Sequence, residues 1–259
     1  MNTSSWARST LRVLAATAGV AAGAYGVYAA LTWLRYGHVP HPADGESDHL
    51  LDRVIPAYDV VERHRIRVAA PASLTLAAAR EQDLLNLPLV RPIFRMREIV
   101  LGATPTERPQ PRGLIDATLA LGWGVLAEMP DREIVMGAVT KPWEPDVTFH
   151  ALPPDAFAAF REPGFVKIAW TLRVDPIDDN TSMFRTETRA AATDGTARAR
   201  FRRYWAFASP GIALIRSFSL GPLKAEAERR ARHGRAAAEA CVGSRAATGC
   251  RRPTSVRQT

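Results

Sequence analysis

Cysteine is scarce in this chain: 259 residues hold two, Cys241 and Cys250, both near the C-terminus. Neither belongs to a Cys-x-x-Cys pair or a Cys/His grouping, so a structural zinc site and a dense disulfide scaffold are both excluded. The two read as incidental thiols, with pairing in an oxidising compartment as the alternative. Long apolar runs are also scarce. One stretch qualifies, which excludes a multi-span membrane protein. There is no Gly-x-Ser-x-Gly, P-loop, His-Glu-x-x-His or dinucleotide fingerprint. No cofactor, no metal and no catalytic set are therefore expected. What is present, 47% hydrophobic and 23% charged residues, is ordinary for a globular chain.

The net charge of +8 is unevenly spread. From Arg229 onward, eight arginines face one acid, Glu239, which leaves +1 for everything before them. The high pI thus belongs to the C-terminal end from Arg229 onward, not to a basic face of a fold, and 233–259 reads as a basic, disordered tail. No aromatic residue interleaves with those arginines, so no specific nucleic-acid partner is expected.

Val13 to Leu34 carries no charge, and 22 residues of helix span roughly 33 Å, enough for a bilayer core. Arg8, Arg12 and Arg35 flank it, and Tyr25, Tyr28, Trp33 and Tyr36 crowd its end. Residues 1–36 are expected to be a single-pass anchor through residues 13–34, with a cleaved signal peptide as the alternative. Loop charges lean slightly toward a domain outside the cytoplasm. Gly19 and Gly23 form a Gly-x-x-x-Gly pair that fits a weak homodimer. Residues 37–57, with Pro40, Pro42, Gly45 and Pro56, read as a linker.

Beyond the linker, periodicity gives the elements. Val60–Ala69 alternates as a half-buried strand, with Glu62, His64, Ile66 and Val68 on one face and Val61, Arg63, Arg65 and Arg67 on the other. Pro71 opens a helix to about Arg80. Leu84–Leu101 reads as one or two short helices, and 102–113 as a loop. Asp116–Met129 and Glu133–Lys141 read as strands around the turn Pro130-Asp131-Arg132, with Gly122, Gly124 and Gly137 marking bends or close approaches. Val147–His150 is a short strand and Pro153–Phe160 a helical turn or two. Phe165–Val174 and Ser182–Ala192 form a second hairpin, with Arg185, Glu187 and Arg189 as a solvent-side ladder. Register reversal would turn that ladder inward and make it the best polar site. Last comes a long helix from about Ala197, with a stripe of Phe201, Trp205, Ala208, Ile212, Ile215 and Phe218 or Ser219, Arg216 off the stripe, and breaks or kinks at Pro210 and Pro222.

An antiparallel sheet with one apolar face needs a cover, and the last helix has the matching stripe. The run VERHRIRVAAPAS, with Val68-Ala69-Ala70-Pro71-Ala72, resembles the START/SRPBCC superfamily. FRTETRAAATDGTARARFRRYW (Phe184 to Trp205), with Pro210-Gly211 and Ile215-Arg216, looks like a bacterial branch of it. The resemblance covers about residues 58–232. It implies an α+β helix-grip fold, a curved antiparallel sheet around a long C-terminal helix. Its members include lipid and hormone binders and polyketide aromatase/cyclases, so it does not choose a function.

The hollow between sheet and helix is the default ligand place. His64, Trp123, Trp170, Phe184, Thr186, Thr188, Trp205 and Ile212 are the expected binding residues. The function expected is membrane-tethered binding of a hydrophobic or amphipathic small molecule, lipid- or polyketide-like. Two alternatives stand. One is a cyclase/dehydratase-type enzyme using His64 on a bound carbonyl compound. The other is a structural domain with a vestigial pocket.

Overall fold

A computed structural model describes residues 3–39, 47–84, 90–102 and 113–248. In chain order these form α1 (Thr3–Arg35), α2 (His49–Val54), β1 (Val60–Val68), α3 (Ala72–Glu81), α4 (Val90–Leu101), α5 (Leu114–Ala120), β2 (Gly124–Met129), β3 (Glu133–Thr140), β4 (Phe149–His150), α6 (Pro154–Ala159), β5 (Val166–Asp178), β6 (Thr181–Ala192) and α7 (Gly195–Thr248). The architecture is α+β, a six-stranded antiparallel sheet with a long C-terminal helix. Strand order is β1-β6-β5-β3-β2, with β4 beside β3.

Alternation sorts the sheet's side chains into two faces. Val60, Glu62, His64, Ile66 and Val68 of β1 stand opposite Ala190, Thr188, Thr186, Phe184 and Ser182 of β6. Ile168, Trp170 and Val174 of β5 continue this inner face, followed by Ile134, Met136 and Ala138 of β3. At the β2–β3 turn Asp131 takes φ 58°, a left-handed conformation that Asp tolerates.

α7 begins where expected. The Asp194 carboxylate accepts from the amides of Thr196 (2.7 Å) and Ala197 (3.0 Å), an N-terminal cap. Phe201 and Trp205 pack with Val60, Val166 and Ala190 at one end of the inner face. Leu223, Ala227 and Ala231 pack with Val68, Phe184, Trp170 and α3's Leu76 at the other. Each fully buried large apolar side chain there contributes about 2 kcal/mol.

The helix is not broken at its prolines; it stays helical past 232 to Thr248. Each proline lacks an N–H, so the carbonyl four residues earlier loses its helical donor. At both places the carbonyl one residue past the freed one accepts a side-chain donor from outside the helix. Tyr25 of α1 donates its hydroxyl to the Phe207 carbonyl. Gln82, just after α3, donates to the Ser219 carbonyl at 2.8 Å.

Four further expectations are corrected. Residues 114–120 form α5, not a strand; β2 begins only at Gly124. Gly122 ends that segment at φ +97°, with the Phe149 carbonyl where a Cβ would stand. The supposed linker contains α2, whose Leu51, Val54 and Ile55 pack with Phe157 of α6, Leu126, Val135 and Val139 against the sheet's outer face. The ladder on β6 faces away from α7 but is not solvated. Arg189 is 1% exposed. It donates to Glu187 (2.7 Å), Asp52 (2.6 Å) and the Ile55 carbonyl (3.2 Å), with its guanidinium over the Tyr58 ring. A strand pattern cannot show that a helix from the preceding segment folds over it.

The fourth correction concerns the anchor. Among the described residues no helix is long and apolar enough to cross a membrane. Eleven of the 22 residues from Val13 to Leu34 are Ala or Gly, which add little apolar surface. The single-pass reading therefore falls, and the lean about the domain's side falls with it. α1 instead docks along α7. Its Trp33 carbonyl accepts from Arg202 at 2.8 and 3.1 Å, and that guanidinium lies 4.3 Å from the Trp33 ring centre. Tyr25 meets Phe207 edge-on, and Tyr36 meets Phe201 likewise. Of the tail, residues 249–259 lie outside the described residues, as do Pro40, Pro42 and Gly45 and the greater part of the loop expected over 102–113.

Candidate functional site

The face of α7 toward the sheet is apolar at its ends and polar in the middle. Between Trp205 and Leu223 it carries Ser209, Ile212 and Arg216. The spacing 201, 205, 209, 212, 216, 223, 227 repeats the helical period, so Arg216 lies on the stripe rather than off it. Facing this stretch are Glu62 and His64 of β1 and Thr186 and Thr188 of β6, paired in register as Glu62–Thr188 and His64–Thr186. Burial follows the same division. Val60 and Val68 at the ends of β1 are buried, while Glu62, His64 and Ile66 between them are half-buried. On α7, Trp205, Ser209 and Leu223 are buried, while Ile212, Arg216 and Leu220 are half-buried. The β1 edge under the middle of the helix is partly open to solvent, while Thr186 and Thr188 of β6 beside it are buried.

Arg216 donates to the Thr186 hydroxyl at 2.9 Å. Burial of the guanidinium pulls its pKa down to about 10, with the Glu62 carboxylate opposing the shift; it remains charged at neutral pH. His64 Nε2 lies 3.6 Å from the Glu62 carboxylate, beyond a hydrogen bond. Three enclosed atoms here, His64 Nε2, Thr188 Oγ1 and Ser209 Oγ, have no hydrogen-bond partner among the described residues. Buried polar atoms without partners are rare, and each calls for an explanation.

The expected site residues divide accordingly. His64, Thr186 and Thr188 meet in the polar middle, with Ile212 across from them. Phe184 and Trp170 are core residues at one end of the interface, and Trp205 is core at the other. Trp123 lies further off, against Phe149 and edge-on to Trp170. Arg216 and Ser209 were missed because a polar residue on an apolar stripe reads as a break in it. The period itself was the signal that could have found them.

A cavity of about 240 Å³ lies on the sheet's other face, lined by Asp48, Arg63, Arg65, Thr171, Arg173, Arg185 and Glu187, with the strands at His64 and Thr186. Trp170 pairs with Thr188 and Arg173 with Arg185, but the two positions between are unpaired on each strand. Arg65, Arg185 and Arg173 stand in one row across three strands, and Asp175 bridges Arg173 and Arg185 at 3.0 and 2.9 Å. This cavity is hydrophilic and does not suit an apolar ligand. Nearby, Glu133 is buried beside Asp48, the residue that caps α2, and accepts from Thr171 at 3.2 Å. Burial pushes its pKa up to about 8, the Asp48 carboxylate adds to the rise, and Arg173 opposes it.

No family model matches the chain, and no curated protein matches it. Several solved structures align over about two thirds of it. A conserved protein from Geobacillus kaustophilus is 15% identical, covering 66% of this chain and 96% of its own, with a TM-score of 0.31. A hypothetical protein from Helicobacter pylori is 9% identical, covering 68% and 93%, with a TM-score of 0.35. A Streptomyces aromatase/cyclase is 14% identical, covering 66% and 94%, with a TM-score of 0.23. Similarity this low says nothing about what this chain acts on. The α+β arrangement rests on the register and packing given above.

Proposed function

We propose that the protein binds an amphipathic small molecule, lipid- or polyketide-like, between the sheet and α7. Its polar group sits among His64, Thr186, Thr188, Ser209 and Arg216. Its apolar body lies along Ile66, Ile168, Ile212 and Leu220, the half-buried aliphatic side chains of the same interface. One observation carries this reading: three enclosed polar atoms lack partners in the stretch of the interface where β1 and α7 are half-buried. A wholly structural interface would bury apolar groups there, or pair the polar ones.

The test is native mass spectrometry of the full chain after mild extraction, together with titration by an uncharged apolar fluorescent dye. A retained small molecule is expected, and Ile212→Trp, which plugs the middle, should weaken dye binding about tenfold, ~1.4 kcal/mol. Protein that is repeatedly empty and binds dye no better than Ile212→Trp would sink the reading.

A second reading has its own geometric support. The imidazole of His64, with the Glu62 carboxylate 3.6 Å away and its Nε2 without a hydrogen-bond partner among the described residues, would move a proton on a bound carbonyl compound, as a cyclase/dehydratase-type enzyme requires. Conversion of a model poly-β-ketone by the wild type and not by His64→Gln would support it. Equal conversion by both would remove it.

A further inference from the structure

We propose that Arg216 is the anchor for a ligand carboxylate, so that the molecule carried is an acid rather than a neutral lipid. This deepens the reading above and depends on it.

A guanidinium has five N–H donors in a planar fork. Among the described residues, Arg216 has one hydrogen-bond partner, the neutral hydroxyl of Thr186. No carboxylate forms an ion pair with it. Glu62 is close enough to act on its charge, but its short contact is with His64. Buried charges are ordinarily paired and hydrogen-bonded, and leaving one unpaired is strongly unfavourable. Two independent features mark the same place. Ser209 is 0% exposed and Thr188 9%, and both hydroxyls are unpartnered in the same interface, Ser209 about two helical turns before the arginine and Thr188 two strand positions past Thr186. A planar carboxylate takes two parallel N–H bonds from the fork, and the two hydroxyls have no other partner among the described residues to compete for them. The charge balance favours a monoanion over a dianion. One guanidinium already feels the Glu62 charge, so a doubly charged phosphate would be under-compensated.

The measurement compares three ligands of equal chain length on the full-length protein: a long-chain fatty acid, the fatty alcohol and the alkyl phosphate. On the wild type the acid should bind at least about tenfold tighter than the alcohol, as a charge-assisted hydrogen-bond pair implies. In Arg216→Met the two should bind within about threefold of each other, and Arg216→Lys should keep part of the preference because it keeps a point charge. Equal binding of acid and alcohol to the wild type overturns the anchor while leaving the pocket standing. Binding of none of the three overturns the pocket as well. An alkyl phosphate that outcompetes the acid overturns the choice of carboxylate. The decisive comparison is on the wild type, so poor folding of a variant does not remove the test.

Discussion

Glu133 ties the stability of the outer face to pH. Its folded pKa, about 8, lies above the ordinary glutamate value because the side chain is buried beside Asp48. A raised folded pKa means the folded state holds the proton more tightly. The stabilisation is fully present below about pH 4.5 and is lost as pH rises through 8. We expect the urea midpoint of the wild type to fall between pH 5 and 9 and that of Glu133→Gln to stay flat in this window. Parallel decline in both proteins would show that other groups set the trend. Arg189 makes the complementary point about legibility. Its place on the face away from α7 followed from alternation, but its burial did not. Burial depends on Asp52 and Ile55, more than 130 positions earlier in the chain.

At the scale of elements, α2 shows why the supposed linker was misread. Prolines and charges mark 40–56 as irregular, yet Leu51, Val54 and Ile55 have the three-and-four spacing of a helical face, and Asp48 supplies the cap. Six residues are too few for periodicity to stand out. If α2 belongs to the folded domain, Leu51→Ala should lower the stability of the full chain by about 3 kcal/mol, since Leu51 is fully buried. A change below about 0.5 kcal/mol in chemical denaturation, the size of a surface substitution, would restore the linker reading. The second hairpin was legible because Phe165–Val174 alternates without interruption. Residues 114–120 were not, because Leu-Ile-Asp-Ala-Thr-Leu-Ala supports a strand or a short helix, and Gly113 and Gly122 at positive φ decide for the helix. In α7 the stripe was read correctly at Phe201, Trp205 and Ile212, but it took Ala208 in place of Ser209 and was lost at Arg216, the two positions where helical phase and residue polarity disagree.

Over the whole molecule, α7 is the element that joins the N-terminal helix, the sheet and α3. The contact with α1 is made largely by polar and aromatic groups: Tyr25 on the Phe207 carbonyl, Arg202 on the Trp33 carbonyl and ring, and Tyr36 on Phe201. Arg202→Ala should therefore speed amide hydrogen exchange in the C-terminal half of α1 by about tenfold while leaving β5 and β6 unchanged. Unchanged exchange in α1 would mean that the aromatic contacts alone hold it.

The two prolines of α7 have a mechanical consequence. Pro210 and Pro222 leave the Ala206 and Phe218 carbonyls without their usual helical donors, and these two weakened rungs bracket the stretch that carries Arg216. A beam notched at two points and gripped beyond both bends between the notches. Residues 210–222 are thus the stretch of α7 whose shift away from β1 would leave both gripped ends in place, and such a shift would give the proposed ligand a way in and out while the core stays shut.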